Sequence, residues 1–189
     1  MKTIGFALCG SFCTFKEVFT EIENLTAIGY NVVPIMSENA YSSDTRFGDA
    51  KYWIAKIKEI TGNRIIHTIP DAEPIGPKKL LDALIIAPCT GNTLAKLAHG
   101  ITDTAVTMAA KSHLRNGRPL CIAFTTNDGL SVTLQNVGAL LTRKNVYFVP
   151  FHQDDHNAKP NSLAADFTKL EQTFQAALGH KQLHPILSP

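Results

Sequence analysis

The sequence predicts an α/β protein: a single Rossmann-like domain in which helices cover both faces of a mainly parallel sheet, in a three-layer α/β/α arrangement. Two observations lead to this prediction. Short apolar runs typical of buried strands alternate with segments whose apolar residues recur at helical spacing. The chain has 189 residues, of which 44% are hydrophobic, enough for one substantial core but few for two domains. We therefore expect one domain over residues 1–180 and a C-terminal tail over residues 181–189.

The first half of the chain follows this alternation. A β-branched and apolar run predicts a strand over residues 3–8, and a helix with Phe15 and Phe19 on its apolar face comes after the Cys9-Gly10-Ser11 turn. A second strand is expected over residues 32–36. Helical spacing returns between residues 53 and 60, and residues 64–67 suit a short strand. Three prolines and a glycine make residues 70–77 a predicted loop.

The second half continues the same pattern. Residues 84–87 are all apolar, as expected of a strand covered on both faces. Helices are expected from Thr93 and again after Gly100, followed by a strand over residues 119–124, a helix over 132–141 and a strand over 146–149. Residues 151–162 are polar and predict a loop, before a final amphipathic helix and a loose tail.

Composition excludes several classes of function. The 18 basic and 16 acidic residues are scattered along the chain, so no cationic tract is available for nucleic acid. The apolar N-terminus is interrupted by Gly5 and Gly10, which favours a first strand over a signal peptide. No segment approaches the roughly 20 apolar residues that cross a membrane. The four cysteines lack the paired spacing of zinc sites or secreted disulfides. We expect a cytoplasmic protein.

Three loops have the composition of an anion site. They are Gly10-Ser11, Ser37 with Asn39, and Thr90 to Thr93, each directly after a predicted strand. Glycine lets the backbone approach a phosphate, hydroxyls donate hydrogen bonds, and the helix dipole favours negative charge. Each loop taken alone is also explained by ordinary helix capping. Because strands of a parallel sheet end at one edge, the three loops together favour a mononucleotide, in the absence of a dinucleotide or Walker A motif.

The segment from Ala87 to Asp103, APCTGNTLAKLAHGITD, resembles the signature of the flavoprotein family that includes flavin prenyltransferases and peptidyl-cysteine decarboxylases. The resemblance runs from the Gly10-Ser11 loop to residues 159–163. It implies a Rossmann-like fold, assembly as a homotrimer or a dodecamer, and FMN bound between subunits. The FMN contacts implied are Gly10, Ser11, Ser37, Thr90, Asn92 and Thr93, with Thr125 and Thr126 at the next strand end.

The sequence departs from the catalytic residues of both enzyme groups. Where the prenyltransferases carry an Arg-Glu pair, this chain has Thr125-Thr126-Asn127-Asp128. Their prenyl-phosphate Tyr and Arg correspond to Asn157 and Lys159. The catalytic His of the decarboxylases would fall near Pro74, and the nearest upstream histidine is His67. Neither the prenyltransferase nor the decarboxylase reaction can therefore be assigned to this chain directly.

The opening residues 5–15 and the 125–130 segment resemble members of the family that act with a second chain. This resemblance implies that NAD(P) is bound by that partner chain, and that the pair oxidises a dihydropyridine dicarboxylate during sporulation. Lys159 is the predicted contact for the dicarboxylate, ahead of Lys96 and Arg118, and His156 is the predicted acid or base.

The polar segment after residue 151 contains two histidines and two aspartates close together. His152, Asp154, Asp155 and His156 are close enough in sequence to suggest a metal, but polar loops produce such clusters readily, and no metal is predicted. Three functions also remain: a catalytic flavoprotein subunit, a non-catalytic partner subunit that retains the fold, and a prenyltransferase or decarboxylase homologue with displaced catalytic residues.

Overall fold

The structure, a computed structural model, describes residues 1–188. Its strands within that range are β1 (Thr3–Leu8), β2 (Asn31–Met36), β3 (Ala83–Cys89), β4 (Leu120–Thr126), β5 (Val146–Phe148), β6 (Phe151–Gln153) and β7 (Leu163–Ala165). Its α-helices are α1 (Phe15–Ile28), α2 (Glu38–Ser42), α3 (Ala50–Thr61), α4 (Ile69–Ala72), α5 (Gly91–His99), α6 (Ala105–Leu114), α7 (Val132–Leu141) and α8 (Leu170–Leu178). The predicted single α/β domain is confirmed.

The strands form one sheet that is mainly parallel. Its order is β2-β1-β3-β4, and β1 pairs in parallel with both β2 and β3. The first half of β4 pairs with β5 in parallel, and its last two residues pair with β7, which runs antiparallel to both β4 and β6. The carboxyl ends of β1, β2, β3 and β4 therefore share one edge, which is where open α/β sheets bind ligands.

Helices cover both faces of the sheet. One buried cluster contains Phe6 and Leu8 of β1 together with residues of α1, α3 and α8. The other contains Ala7 of β1 and the following Cys9 together with residues of α5, α6 and α7. Because successive side chains of a strand point to opposite faces, both sets must be apolar, which explains the continuous apolar runs of the central strands.

Local sequence sets the ends of the helices that border the sheet edge. The Thr90 hydroxyl accepts a hydrogen bond from the Thr93 amide at 3.2 Å and starts α5, which ends at Gly100 with φ of +72°. Thr104 and Thr107 form a reciprocal capping box at the start of α6. The Thr90 cap starts α5 directly after β3, and the Thr104–Thr107 box fixes the start of α6.

Two of the predicted connections have a different structure. Residues 64–67 form a single parallel bridge between Ile66 and Ile35 rather than a strand, with Ile66 bonded to the backbone of Pro34 and Met36 on the free edge of β2. The proline-rich segment 70–77 is not a loop throughout: α4 occupies residues 69–72 and a 3₁₀ turn follows at residues 73–75. Pro70 and Pro74 lie in the first turns of these two elements, where a missing amide hydrogen costs nothing.

The C-terminal region is also more ordered than the sequence indicates. The polar segment 151–162 is the first strand and the turn of the β6–β7 hairpin. The tail is not loose over residues 181–188: the Gln182 side chain bonds the backbone of Phe148, and Phe151 exchanges backbone hydrogen bonds with Ile186 and Ser188. Pro189 lies outside the described residues. Within residues 1–188, no helix has the length and apolar character to cross a bilayer.

Candidate functional site

A polar cleft of about 370 Å³ lies at the carboxyl ends of β1, β2 and β3. Its lining residues are Cys9, Gly10, Ser37, Glu38, Asn39, Thr90, Asn92, Thr93, Lys96, Asp103 and Thr104. A larger depression of about 500 Å³ beside the C-terminal tail includes none of these loop residues. The cleft confirms that the three loops meet at one edge of the sheet.

The eight residues predicted to contact FMN are divided between the cleft and its surroundings. Gly10, Ser37, Thr90, Asn92 and Thr93 line it. The other three, Ser11, Thr125 and Thr126, are not among the lining residues. Ser11 donates to the Thr125 carbonyl at 3.5 Å, and the Thr126 hydroxyl donates to Asp128. The Thr125 hydroxyl oxygen is buried without a hydrogen-bond partner in residues 1–188.

A chain of hydroxyls and a thiol organises the start of α5. The Thr90 hydroxyl donates to the Thr93 hydroxyl at 3.1 Å, and the Thr93 hydroxyl donates to the Cys9 sulfur at 3.3 Å. Thr93 is only 7% exposed. Its hydroxyl hydrogen is already used within the protein, so this side chain positions the loop. The first amides of α5, those of Gly91 and Asn92, are the donors that a helix cannot satisfy itself.

Ser37 connects the second loop to the same cleft. Its side-chain oxygen accepts from the Ala40 amide at 3.2 Å, which caps α2, and its own amide donates to the Leu8 carbonyl at 2.9 Å. The cap uses the oxygen as an acceptor and leaves the hydroxyl hydrogen available to a ligand. Ser37 can therefore start the helix and donate into the cleft at once.

The charges in the cleft do not favour an anion by themselves. Lys96 is its one cation, and its ammonium nitrogen lies 2.8 and 2.9 Å from the two carboxylate oxygens of Asp103. The hydrogen bond from Lys96 lowers the pKa of Asp103. Glu38 adds a second carboxylate. An anion bound here would depend on amide and hydroxyl donors.

The residues fit the phosphate and ribityl parts of FMN. The cleft offers hydroxyl and amide donors on three sides, and the unpartnered Thr125 hydroxyl lies next to the Ser11 contact at the neighbouring strand end. At Gly91, an added Cβ would stand 3.0 Å from the hydroxyls of Thr126 and Thr133, so a larger residue would have to displace these side chains. The lining contains no aromatic side chain and is mostly polar, which suits the phosphate and ribityl parts better than the flavin ring.

The predicted substrate and acid–base residues lie outside the cleft. Lys159 is in the β6–β7 turn and forms an exposed ion pair with Asp154 at 3.1 Å. Their hydrogen bond raises the pKa of Lys159 and lowers that of Asp154. His156 is exposed in the same turn. In residues 1–188, no group of three or more His, Cys, Asp or Glu side chains is placed to hold a metal. The roles of Lys159 and His156 stay predictions.

Arg118 and His67, the two other candidate site residues from the sequence, contact neighbouring parts of the fold and not the cleft. The Arg118 guanidinium donates to the carbonyls of Lys79 and Leu81, which anchors the start of β4 to the segment before β3. The His67 ring stacks on Tyr41 with centroids 3.8 Å apart and planes 6° from parallel. Neither lines the cleft.

Sequence reasoning missed four residues of the lining. They are Cys9, Glu38, Asp103 and Thr104. Cys9 precedes Gly10 and Glu38 follows Ser37 in the sequence. This adjacency to predicted cofactor contacts could have identified both as lining residues. Asp103 and Thr104 come from the loop before α6, and only the chain path from α5 to α6 brings that loop to the strand ends.

The chain belongs to the Flavoprotein family, whose sequence pattern matches residues 1–172. The family resemblance drawn from the sequence is therefore confirmed. Within this class, the chain is 47% identical over 186 residues to the B subunit of dipicolinate synthase from Bacillus subtilis (strain 168), covering 98% of this chain and 93% of that protein.

Solved structures agree with this assignment. The crystal structure of the dipicolinate synthase B subunit from Bacillus halodurans C has a TM-score of 0.92 at 44% identity and covers 100% of this chain and 96% of its own. DmrB of Burkholderia xenovorans, described as a cubic protein cage for redox transfer in complex with FMN, has a TM-score of 0.71 at 17% identity, covering 94% and 96%. At that identity DmrB shares the fold alone.

Proposed function

We propose that this chain is the B-type subunit of a dipicolinate synthase, which acts with an A-type subunit to oxidise dihydrodipicolinate to dipicolinate during sporulation. The observation that carries the proposal is the similarity to the B subunit of a dipicolinate synthase over 98% of this chain. The polar cleft at the strand ends supplies a site for a cofactor.

FMN is the cofactor proposed for the cleft. The FMN complex of DmrB, which has the same fold, supports this choice. Asn92, Ser37 and the first amides of α5 would hold the phosphate, with Gly10 allowing close approach. Thr93 would keep the α5 loop in place through Cys9. When bound, a flavin supplies the capacity to accept two electrons from a dihydropyridine.

The proposed cofactor site depends on assembly. Because the lining is polar, the apolar ring of FMN needs a second surface outside this cleft. A neighbouring subunit of a homotrimer, or of a dodecamer built from trimers, would provide it. Exposed apolar side chains near the 125–131 loop, Leu130 at 41% and Val132 at 66% exposure, suit such a contact.

The remaining parts of the reaction are assigned to the partner and to the β6–β7 turn. NAD(P) would be bound by the A-type subunit. Lys159 would contact the dicarboxylate after exchanging its Asp154 partner for a substrate carboxylate, and His156 in the same turn would take or return a proton. Both residues are exposed, so substrate would be held at the protein surface.

A second candidate is a non-catalytic partner subunit that retains the flavoprotein fold. The cleft itself favours this alternative, because Lys96 and Asp103 are paired with each other and the lining contains no histidine. Activity of the A-type subunit alone would support it. A prenyltransferase or decarboxylase homologue is the weakest candidate, since the 125–128 loop lacks the Arg-Glu pair of the prenyltransferases.

FMN titration of the purified protein tests the proposal. We expect saturable binding that is weakened about tenfold by Asn92→Ala, the cost of losing one hydrogen bond to a charged group. Ser37→Ala should also weaken binding, while Asn24→Ala on the exposed face of α1 is the matched control. Absence of binding at concentrations of tens of micromolar, roughly −6 kcal/mol, would reject the flavin site and leave the non-catalytic subunit.

Reconstitution then separates the two candidates. Oxidation of dihydrodipicolinate should require both subunits together with FMN. Full turnover by the A-type subunit without this chain would contradict a catalytic role here.

A further inference from the structure

Two buried thiols lie on neighbouring strands at the cleft: Cys9 lines it, and Cys89 does not. Cys9 follows β1 and Cys89 ends β3, and β1 and β3 are neighbours in the sheet. The Cys9 amide donates to the Pro88 carbonyl at 3.1 Å, so the two backbones are in contact at this point. The exposed fractions are 1% for Cys9 and 0% for Cys89. Neither thiol has a part in the proposed reaction.

The two side chains point to the same face of the sheet. Both belong to the apolar cluster that packs against α5 and α6. Adjacent strands are about 4.8 Å apart, within the range of about 4.4–6.8 Å between the Cα atoms of disulfide-bonded cysteines. The spacing of neighbouring strands is therefore compatible with a bond between the two sulfurs.

The surroundings of the two sulfurs differ. A hydrogen bond from the Cys89 thiol lowers the pKa of Cys9, with a further contribution from the Thr93 hydroxyl at 3.3 Å. Burial raises the pKa of Cys89, whose sulfur lies 3.7 Å from the Thr90 carbonyl oxygen. Cys9 is the more nucleophilic thiol and lines the cleft, and Cys89 lies behind it as a resolving thiol.

We propose that Cys9 and Cys89 are an oxidisable dithiol, which a peroxide entering the cofactor cleft converts to a disulfide. The Cys9 thiolate attacks one peroxide oxygen and breaks the O–O bond, which releases one water and leaves a sulfenic acid. The Cys89 sulfur then displaces the hydroxyl from Cys9 and forms the S–S bond. The released hydroxyl and the Cys89 proton leave as a second water. Two thiols are oxidised and one peroxide is reduced.

The disulfide would change the cofactor site through Thr93. Once the Cys9 sulfur is bonded to Cys89, its lone pairs are reoriented, and we expect the hydrogen bond that holds the Thr93 hydroxyl to break or weaken. The loop that starts α5 would lose one of its anchors, and we expect FMN to bind several-fold more weakly, about three- to tenfold. This consequence rests on the proposed flavin function. The oxidation itself does not.

The test uses the full-length chain with Cys13→Ser, since Cys13 is exposed and would form intermolecular disulfides. The protein is treated with hydrogen peroxide, denatured with an alkylating agent present, and its intact mass is measured. We expect a loss of two hydrogen masses and two fewer alkylated thiols, reversed by a dithiol reductant. Peptide mapping should connect Cys9 to Cys89.

Cys121→Ser is the matched control. Cys121 is equally buried, but it lies in the cluster on the opposite face of the sheet, and burial raises its pKa to about 12. This variant should still form the disulfide, whereas Cys9→Ser and Cys89→Ser should not. A disulfide that persists in either of the last two, or stable oxygen addition without a disulfide in the Cys13→Ser protein, would overturn the proposal.

FMN titration of reduced and oxidised protein tests a separate point, the effect of the disulfide on cofactor binding. If reduced protein binds no FMN, the proposed flavin function fails while the mass measurement still decides the dithiol. If reduced and oxidised protein bind FMN equally, the disulfide does not control the cofactor site, and that part of the inference is rejected.

Discussion

Lys96 and Asp103 form an ion pair across the rim of the cleft, with the ammonium nitrogen 2.8 and 2.9 Å from the two carboxylate oxygens. The pair connects α5 to the loop before α6. It also neutralises the only cation among the lining residues. An anion in the cleft must therefore compete with the Asp103 carboxylate for the Lys96 ammonium group.

Removing the carboxylate should strengthen anion binding. In Asp103→Asn, Lys96 becomes free to face the cleft, and we expect affinity for FMN to rise about two- to fivefold at low salt, within the range of exposed charge effects. The increase should shrink as salt is added. Asp71→Asn, which breaks the exposed pair with Arg64, is the control. Weaker FMN binding by Asp103→Asn would show that the pair supports the site.

Substitution of Thr125 tests whether its hydroxyl contacts the cofactor or only supports the fold. Its oxygen is buried and has no hydrogen-bond partner within residues 1–188. Thr125→Val should therefore leave the free energy of unfolding of the cofactor-free protein unchanged or raise it, and should weaken FMN binding about fivefold by removing one hydrogen bond. Thr173→Val, far from the cleft in α8, is the control for binding. A loss of stability without a loss of affinity would contradict the prediction.

Two glycine substitutions should have opposite effects. An alanine at position 91 would place its Cβ 3.0 Å from the Thr126 and Thr133 hydroxyls, so Gly91→Ala should lower the free energy of unfolding by about 1 kcal/mol. At Gly138, inside α7, nothing lies within 4 Å of an added Cβ. Gly138→Ala should therefore stabilise the protein by about 0.5–1 kcal/mol. Denaturant titration of both variants measures the difference, and equal signs would contradict the packing at Gly91.

A buried histidine should make stability depend on pH. His113 is 1% exposed, its ring nitrogen lies 2.9 Å from the Pro119 carbonyl oxygen, and burial lowers its pKa from 6.5 to about 4. Between these values the unfolded chain binds the proton more readily than the folded one. His113 therefore costs nothing above pH 6.5 and destabilises the fold as pH falls toward 4.

We expect the free energy of unfolding to fall by about 1 kcal/mol between pH 7 and pH 5.5 through this residue. His113→Gln, which keeps a donor for the Pro119 carbonyl but does not titrate, should remove that part of the pH dependence. An unchanged slope in this variant would contradict the buried, neutral state of His113.

The overall architecture could be read from the sequence because it depends on local patterns. The β1 and α7 boundaries, residues 3–8 and 132–141, agree with the structure, and both follow from apolar periodicity and flanking polar residues. The short β7 strand escaped prediction, because a three-residue strand has too few residues for a period to be recognised. The contacts of the tail with Phe148 and Phe151 have no local signature either.

The sequence by itself determined the fold class, the edge of the sheet where the loops meet, and the family, because strand alternation and the APCTGNTLAKLAHGITD segment are continuous along the chain. The tertiary structure alone decided which hydroxyls are free. Thr93 bonds Cys9 from 84 positions away, and Ser11 bonds Thr125 from 114 positions away. A residue's type sets what it can donate, and only the chain path sets what lies within reach of it.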